Sequence, residues 1–476
     1  MTRSKNLLVI MSDEHQARAL SCVGHPLVKT PNMDRLAARG IRFSNAYTPS
    51  PICVPARAAF ASGRYVHDIR LWDNAMPYTG KPRGWGHALQ DKGVRVESIG
   101  KLHYRAAEDP AGFDVEHIPM QVVNGVGMVW GSIRREDERV RKEGRMLGPY
   151  IGPGESNYTR YDQAVVNRAE DWFKDAATRD DPWCLYVGLV APHFPLIVPQ
   201  EYLNMYPLDD LPPFKLHTMN GFENHPWVRK QNHALLGDDG FSDHDERRLA
   251  AACYFALCTF LDDNIGKLVA ALEANGHLDD TTIIYTSDHG DNVGARGLWG
   301  KSNMYEESVA VPMIVAGPGI APCICDTPVS LLDVSQTIID HFGATLEGDR
   351  PGDCLYDIAT RDAEPERVIF SEYHAVGAVS GAYMLRKGRW KLIHYHGFAP
   401  ELFDLETDPE ELTNRAEDPA CAEALADIYA ALNSICDPGD MNDLAFADQD
   451  AMIAGYGGIE VAMNMGAPAA TPPPET

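Results

Sequence analysis

The feature that most constrains the fold of this chain is a series of short, largely apolar runs, each long enough for one strand. Residues 6–11 form a nearly continuous apolar run, which is typical of a strand covered on both faces. Residues 94–99, 183–190 and 281–287 are predicted to be further buried strands, and residues 249–275 carry apolar side chains at helical spacing. Strands that alternate with helices predict an α/β fold with a mainly parallel, helix-covered sheet. In such sheets the chemistry collects beyond the carboxyl ends of the strands.

The pattern changes after about residue 365. Residues 367–373, 381–386 and 389–396 are predicted strands, and residues 420–435 form a predicted helix packed on them. This predicts a smaller antiparallel sheet with a helix. We therefore expect an α/β catalytic domain over residues 1–364, a smaller C-terminal α+β subdomain over residues 365–447, and a tail over residues 448–476 that is either disordered or in contact with a neighbouring subunit.

Charge and composition restrict the partners of the chain. Its 476 residues carry a formal net charge of −26, which argues against nucleic acid because phosphate binding needs clustered cations. An anionic substrate is compatible with this charge, since a few buried cations can dominate one pocket. No run approaches a membrane span, so we expect no membrane partner. Ten scattered cysteines and no export signal predict a cytoplasmic protein with mostly free thiols.

The most informative local pattern lies within residues 50–64. Cys53 stands just before a proline-initiated helix of small residues that stops at Gly63. A helix N-terminus offers free N–H groups and a favourable dipole to an anion, and Arg57 can face the same point one turn later. This geometry fits a tetrahedral oxyanion such as sulfate or phosphate. The alternative is that Cys53 is a small buried apolar residue, the usual fate of a free cysteine.

Acidic residues follow two of the predicted strands. Asp13 and Glu14 come directly after the first, and Asp288 and His289 come after residues 281–287. Carboxylates favour Ca²⁺ or Mg²⁺, whereas a histidine ligand moves the preference toward Mn²⁺. The sequence thus predicts a divalent-cation site, although an acidic residue after a strand is more often simple turn chemistry.

Lysines and histidines follow strands in the same way. Lys101 and His103 come after residues 94–99, and strand alternation predicts that both lie on one face. His193 lies between two prolines, and Lys301 lies shortly after the Asp288–His289 pair. Taken alone, a lysine in such a position is more often exposed to solvent than catalytic, and a histidine is more often a hydrogen-bonded structural residue.

Together these segments resemble the type I sulfatases of the alkaline phosphatase superfamily. The resemblance depends on four motifs, which are Cys53-x-Pro-x-Arg57 with its Ser-Gly-Arg extension, Gly-Lys101-x-His103, Pro-His193-x-Pro and Lys301-x-x-x-Tyr-Glu. In that family a formylglycine-generating enzyme oxidises the cysteine to an aldehyde, whose hydrate is the nucleophile. The resemblance covers nearly the whole chain. It implies an arylsulfatase-like sulfuric ester hydrolase that cleaves small sulfate monoesters.

The resemblance also implies roles for particular residues. One Ca²⁺ or Mn²⁺ ion is expected on Asp13, Glu14, Cys53, Asp288 and His289. Glu14 departs from the Asp or Gln of many relatives, and His289 fits the choline sulfatase and phosphonate monoester hydrolase branches. Substrate contacts are expected from Asn74, Lys101, His193 and Lys301. Arg57 would orient the hydrate, His193 or Lys301 would protonate the leaving alcohol, and His103 would hydrogen-bond and later deprotonate the hydrate.

Two alternatives stay open at this point. The first is a relative that prefers phosphonate monoesters or phosphodiesters. In that branch the Lys101 and His103 positions are neutral hydroxyl residues, so this chain's pair favours sulfatase chemistry. The second is a catalytically silent binding protein in which Cys53 remains a thiol. Trp72, Tyr104, Trp130 and Phe194 are candidates for an aromatic or quaternary-ammonium pocket for the leaving group, although aromatic residues in long loops more often serve simple packing. The tail makes a homo-oligomer the expected assembly.

Overall fold

The computed structural model describes residues 4–135, 151–235, 237–465 and 471–475. Its strands are β1 Asn6–Asp13, β2 Gly40–Phe43, β3 Ala46–Tyr47, β4 Arg95–Lys101, β5 Val115–Met120, β6 Ile151–Pro153, β7 Trp183–Pro192, β8 Leu196–Val198, β9 Thr281–Ser287, β10 Met313–Ala316, β11 Cys323–Cys325, β12 Val329–Ser330, β13 Ile369–Tyr373, β14 Ala382–Lys387, β15 Trp390–Tyr395 and β16 Glu401–Asp404. Its α-helices are α1 Pro31–Ala38, α2 Cys53–Ser62, α3 Val66–Ile69, α4 Trp85–Asp91, α5 Asn157–Ala176, α6 Gln200–Leu203, α7 Pro226–Leu235, α8 His244–Ala274, α9 Glu306–Val309, α10 Leu331–His341, α11 Leu355–Thr360, α12 Ala422–Ile435, α13 Pro438–Gly455 and α14 Ile459–Ala462.

The main sheet has eight strands in the order β11-β2-β10-β9-β1-β7-β4-β5. β1 pairs in parallel with β7 and β9, and β4 pairs in parallel with β5 and β7. β10 is antiparallel to both of its neighbours, while β11 is parallel to β2. The predicted mainly parallel sheet is therefore confirmed. Five adjacent parallel strands direct their carboxyl ends to one edge of this sheet.

The first strand shows why this sheet needs helices on both faces. All eight residues of β1 are buried. Leu8 and Ile10 belong to the apolar cluster that includes side chains of α5 and α8, whereas Leu7 and Val9 belong to the cluster that includes α2 and α10. Because successive side chains of a strand point to opposite faces, a continuous apolar run buries both.

The second sheet is antiparallel, in the order β13-β14-β15-β16. Helix α12 packs on it through Ile428 and Leu432. Three of its strands lie where the sequence predicts strands, and β16 is an addition to them. Helix α13 crosses residue 448, where the predicted tail begins. Residues 466–470 and 476 of that tail lie outside the described residues.

The longest helix, α8, begins five residues before its predicted start. Asp243 precedes it, and its side chain accepts a hydrogen bond from the backbone N–H of Glu246, so the helix begins at a capped residue. Buried residues lie along most of its length. Among the residues described, none of the helices combines the length and the apolar character needed to cross a membrane.

Candidate active site

Four neighbouring strands end at the same place. β9, β1, β7 and β4 lie side by side and run in parallel. β1 ends at Asp13 and β4 ends at Lys101, while β7 and β9 end directly before His193 and Asp288. Neighbouring strands are less than about 5 Å apart, so these side chains meet at one edge of the sheet.

Helix α2 brings the cysteine to this edge. It begins at Cys53 and is followed by Gly63 in the left-handed conformation, with φ 68°, as the sequence predicts. Every residue of the helix is buried, and its apolar side chains pack beneath the sheet. The fully buried helix fixes the position of Cys53 relative to the strand ends.

Four side chains form a compact group that could hold a cation. One ligand atom from each of Asp13, Cys53, Asp288 and His289 lies within 4.8 Å of the others, and all four residues are buried. Cys53 Sγ is 3.2 Å from His289 Nε2 and 3.6 Å from Asp13 Oδ1. In a converted enzyme this sulfur stands in for an oxygen of the aldehyde hydrate. His289 Nδ1 donates to the Gly290 carbonyl at 3.1 Å, which leaves its Nε2 lone pair for the group.

Glu14 lies outside this group of four. It forms a second group with Asp13 and His193, and its backbone adopts φ 71°. Its Oε2 is 3.3 Å from Lys301 Nζ and 3.4 Å from His193 Nε2. Burial raises the pKa of Glu14 well above its ordinary value.

Arg57 ties the acidic group to the strands around it. Its guanidinium donates to Asp288 Oδ2 at 2.7 Å and to the Tyr186 hydroxyl at 2.9 Å, and it lies 3.5 Å from Asp13 Oδ2. Burial opposes its charge, but Asp288 and the other neighbours more than offset this and raise the pKa of Arg57 above its ordinary value. The side chain is 1 % exposed, so it is a permanent buried cation.

Two lysines complete the positive side of the site. Lys101 pairs with Asp13 through its ammonium group. Lys301 Nζ is 3.9 Å from Asp13 Oδ1 and 5.6 Å from the centre of the Phe194 ring. Burial disfavours the Lys301 charge, but Cys53, Glu14 and Asp13 raise its pKa well above its ordinary value. This group therefore remains charged at neutral pH.

The two histidines of the site are neutral at neutral pH. Burial, and then Lys301, lower the pKa of His193 well below its ordinary value. Burial, and then Lys101, do the same for His103. His193 Nδ1 donates to the Phe194 carbonyl at 2.5 Å. His103 lies beyond the end of β4 with φ 59°, so a turn of the backbone, rather than strand alternation, places it near Lys101.

Burial also decides the state of the cysteine thiol. Burial, followed by the charge of Asp13, raises the pKa of Cys53 to about 11. Since the thiolate is the nucleophilic form of cysteine, the unmodified side chain is a poor nucleophile at neutral pH. The neighbouring Asn74 accepts a hydrogen bond from the backbone N–H of Val54 at 3.2 Å, which places it beside the start of α2.

A small cavity of about 80 Å³ opens beside Cys53. Its apolar lining includes Ile52, Met128, Phe194, Leu235, Leu298 and Trp299, and amide side chains of asparagine and glutamine supply most of its polar lining. Of the predicted aromatic candidates Phe194 lines this cavity, whereas Trp72, Tyr104 and Trp130 belong to packed apolar clusters.

Some residues of the site have no signal in the sequence. Tyr186 is a buried residue of β7. Its hydroxyl donates a hydrogen bond at 3.3 Å to the backbone carbonyl of Lys101, which also accepts one from Arg57. Thr471, far along the chain, has its Oγ1 2.8 Å from His103 Nε2. Both contact the site from positions that are distant in the sequence, and the spacing of residues within a motif cannot indicate such contacts.

Comparison with known proteins agrees with this arrangement. The family model described as "Sulfatase" matches residues 5–344, and the one described as "N-sulphoglucosamine sulphohydrolase, C-terminal" matches residues 294–437. Choline-sulfatase of Rhizobium meliloti (strain 1021) is 33% identical over 444 residues, which cover 88% of this chain and 84% of that protein. Arylsulfatase K of Danio rerio is 30% identical over 458 residues, covering 91% and 84%. The crystal structure of phosphonate monoester hydrolase of Agrobacterium radiobacter matches with a TM-score of 0.74 at 25% identity, covering 90% of this chain and 95% of that one.

The fold and the site define an enzyme that acts on an anionic ester, with carboxylates and an imidazole grouped beside buried cations at the strand ends. More particularly, the chain belongs to the sulfatase family. It is a sulfuric ester hydrolase, and the predicted family and activity are confirmed. Members of this family generally use a divalent metal and a formylglycine made from cysteine.

Proposed function

We propose that the enzyme hydrolyses small sulfate monoesters with residue 53 in its formylglycine form and a divalent cation on Asp13, Cys53, Asp288 and His289. The observation that carries this proposal is the convergence of these four ligand atoms within 4.8 Å at the start of α2. The donor set of carboxylates and one imidazole suits a divalent cation. When present, the hydrated aldehyde supplies the nucleophile and the cation supplies positive charge for the sulfate oxygens.

The remaining side chains supply charge and proton transfer. Arg57 holds Asp288 in place and adds a fixed positive charge beside residue 53. Lys101 and Lys301 face the carboxylates from other sides and would contact the sulfate, whose negative charge needs such preorganised partners. Lys301 is the proposed proton donor for the leaving alcohol, because among the described residues it lines the cavity beside Cys53 and His193 does not.

Of the two candidate ions, Mn²⁺ fits the ligand set better than Ca²⁺. Ca²⁺ takes about six to eight oxygen ligands, whereas the group of four includes the nitrogen of His289. Nitrogen ligands favour Mn²⁺ over Ca²⁺. Metal analysis of the purified enzyme, followed by reactivation of the chelated enzyme with each ion, tests this choice. Reactivation by Ca²⁺ alone would contradict it.

The cavity beside Cys53 points to a compact, uncharged leaving group. Among the described residues that line it, Glu14 is the carboxylic acid and Lys301 the amine, and their Oε2 and Nζ atoms lie 3.3 Å apart. A cationic leaving group would therefore meet no spare carboxylate there. We propose a neutral phenol or short alcohol, in the manner of an arylsulfatase, in preference to the choline of the Rhizobium meliloti relative.

The second candidate function is phosphonate monoester hydrolysis, which the structural match to the Agrobacterium radiobacter enzyme supports. Lys101 and His103 argue for sulfate esters, because both are buried at the site and the family resemblance associates this pair with sulfatase chemistry.

Two measurements test the proposed function. The enzyme is produced in a host with formylglycine-generating activity, and the mass of the tryptic peptide of residues 43–57 is determined. Conversion of Cys53 lowers this mass by roughly that of one water. Nitrophenyl sulfate, choline sulfate and a phenyl phosphonate monoester are then compared, with Cys53→Ala as the inactive control. Higher kcat/KM for the phosphonate than for both sulfates would overturn the sulfatase assignment, and higher kcat/KM for choline sulfate would overturn the neutral leaving group.

A further inference from the structure

A threonine from the C-terminal stretch reaches into the active site. Thr471 is 7% exposed, and its Oγ1 is 2.8 Å from His103 Nε2. Its backbone carbonyl accepts a hydrogen bond from the Tyr158 hydroxyl at 2.7 Å. The Tyr158 ring in turn packs edge-on against His193, with 5.7 Å between the ring centres. Thr471 is thus held between His103 and Tyr158, and Tyr158 packs against His193.

The two nitrogens of His103 have different surroundings. Nε2 has Thr471 as its partner, while Nδ1 is buried and has no hydrogen-bond partner among the described residues. Nδ1 is therefore the nitrogen left for the reaction. To accept a proton, Nδ1 must be unprotonated, and a neutral imidazole then carries its hydrogen on Nε2. That hydrogen points to the Thr471 hydroxyl, which can accept it.

We propose that Thr471 is a positioning residue, whose hydroxyl accepts the Nε2 hydrogen of His103 and so keeps Nδ1 free as the base of the proposed reaction. The proposal rests on the proposed function and adds to it the role that the family resemblance implies for His103, which is to take a proton from the hydrated side chain of residue 53. The O–H bond of the free hydroxyl would break and an N–H bond would form at Nδ1, while the oxygen's electron pair would form the C=O bond of the aldehyde and the C–O bond to sulfate would break, with sulfate leaving with that bond's electrons. The imidazolium would keep its other hydrogen on Nε2, donated to the Thr471 hydroxyl. The proton then passes to solvent.

This contact does not compete with the substrate for the cavity. The described residues that line the cavity beside Cys53 do not include Thr471, His103 or Tyr158. Thr471 therefore lies outside the cavity that would receive the leaving group. A change in Thr471 should act on the proton transfer and leave binding of the leaving group unchanged.

The test compares Thr471→Val with Thr471→Ser in the full-length enzyme. Valine has nearly the shape of threonine but no hydroxyl, and serine keeps the hydroxyl. Hydrogen-bond partners of the second nitrogen of a metal-bound histidine typically change metal affinity or activity by about 10- to 100-fold, and we expect an effect of the same order on activity for the partner of His103. We expect T471V to lower kcat for nitrophenyl sulfate by about that factor at unchanged KM, and T471S to stay within about threefold of the wild type.

The pH profile separates positioning from general structural damage. The Nε2 bond to Thr471 is stronger when the imidazole is protonated, so T471V should move the acidic limb of the kcat profile to lower pH, and T471S should not move it. The charged and titratable groups that also face His103 are Lys101, Asp13, Arg57 and His193, and neither variant changes them. Equal melting temperatures establish that the variants are folded, and T471A replaces T471V where the valine variant is unstable.

The outcomes are distinguishable from those of the proposed function. A wild-type enzyme with converted residue 53 and sulfatase activity, together with a T471V variant of unchanged kcat and pH profile, would overturn the role of Thr471 alone. A T471S variant as impaired as T471V would overturn it too. An unconverted and inactive wild-type enzyme would instead remove the proposed function and, with it, this inference.

Discussion

Replacing Arg57 by methionine (R57M) should destabilise the protein, and more strongly without a bound metal than with one. The guanidinium is 1 % exposed and contacts the carboxylates of Asp288 and Asp13 at 2.7 and 3.5 Å. Removing one partner of such a buried ion pair costs about 3–5 kcal/mol, because the remaining charge stays buried. At about 2 °C per kcal/mol for a large chain, this corresponds to a fall of about 6–10 °C in melting temperature.

The assay is thermal unfolding in excess chelator and in saturating metal. A divalent cation on the group of four would replace part of the lost positive charge, so the fall should be smaller with metal. The matched control is Arg361→Met, which removes an arginine that is 40% exposed and paired with Asp353 at 3.1 Å. We expect that control to melt within about 1 °C of the wild type, because exposed pairs contribute little. A fall in the melting temperature of R57M that is no larger than that of the control would refute the reasoning. A fall that is equal with and without metal would refute it too.

Three further predictions follow from the same side chains. Cys53→Ser should allow at most a single turnover of nitrophenyl sulfate, because a serine intermediate lacks the second hydroxyl that expels sulfate; steady multiple turnover in a burst assay would contradict this. Prolonged chelation should abolish activity reversibly, and a chelated enzyme of full activity, with metal content checked by elemental analysis, would disprove the metal site. Burial opposes ionisation of Glu372, but His67 and His374 hold its pKa at about 2, below the ordinary 4.5. The ionised carboxylate therefore stabilises the fold above about pH 4.5, by about 3 kcal/mol, and this is lost as the pH falls through about 2. Glu372→Gln should lower the unfolding free energy at neutral pH, and the difference in unfolding free energy between the wild type and this variant should become smaller in acid. A difference that does not change with pH in urea titrations would contradict this.

The positions of most site residues follow from the sequence because they stand directly after buried strands. The run that forms β1 must be covered on both faces, so it belongs in the middle of a parallel sheet, and Asp13 must then lie at its carboxyl edge. The same reasoning applies to Asp288 after β9 and to His193 after β7. Strand periodicity and burial were sufficient for these residues.

The directions of side chains beyond the strand ends could not be predicted in this way. Glu14 follows Asp13 directly, yet its φ of 71° places it with His193 and outside the group of four. His103 has φ 59°, so the alternation expected from Lys101 does not apply to it. A positive φ in a non-glycine residue depends on tertiary contacts, and no local pattern specifies it. Thr471 is harder still, since nothing in a proline-rich segment indicates a contact with a residue more than three hundred positions earlier.

The charge of the site shows why an acidic chain can act on an anion. Arg57, Lys101 and Lys301 are gathered around the carboxylates of Asp13 and Asp288, and burial raises the pKa of Glu14, which disfavours a further negative charge there. Three buried cations therefore face these carboxylates before any metal is present, and a divalent cation would add to the positive charge. Because buried charges are screened far less than exposed ones, the local balance, rather than the net charge of −26, determines what the site attracts.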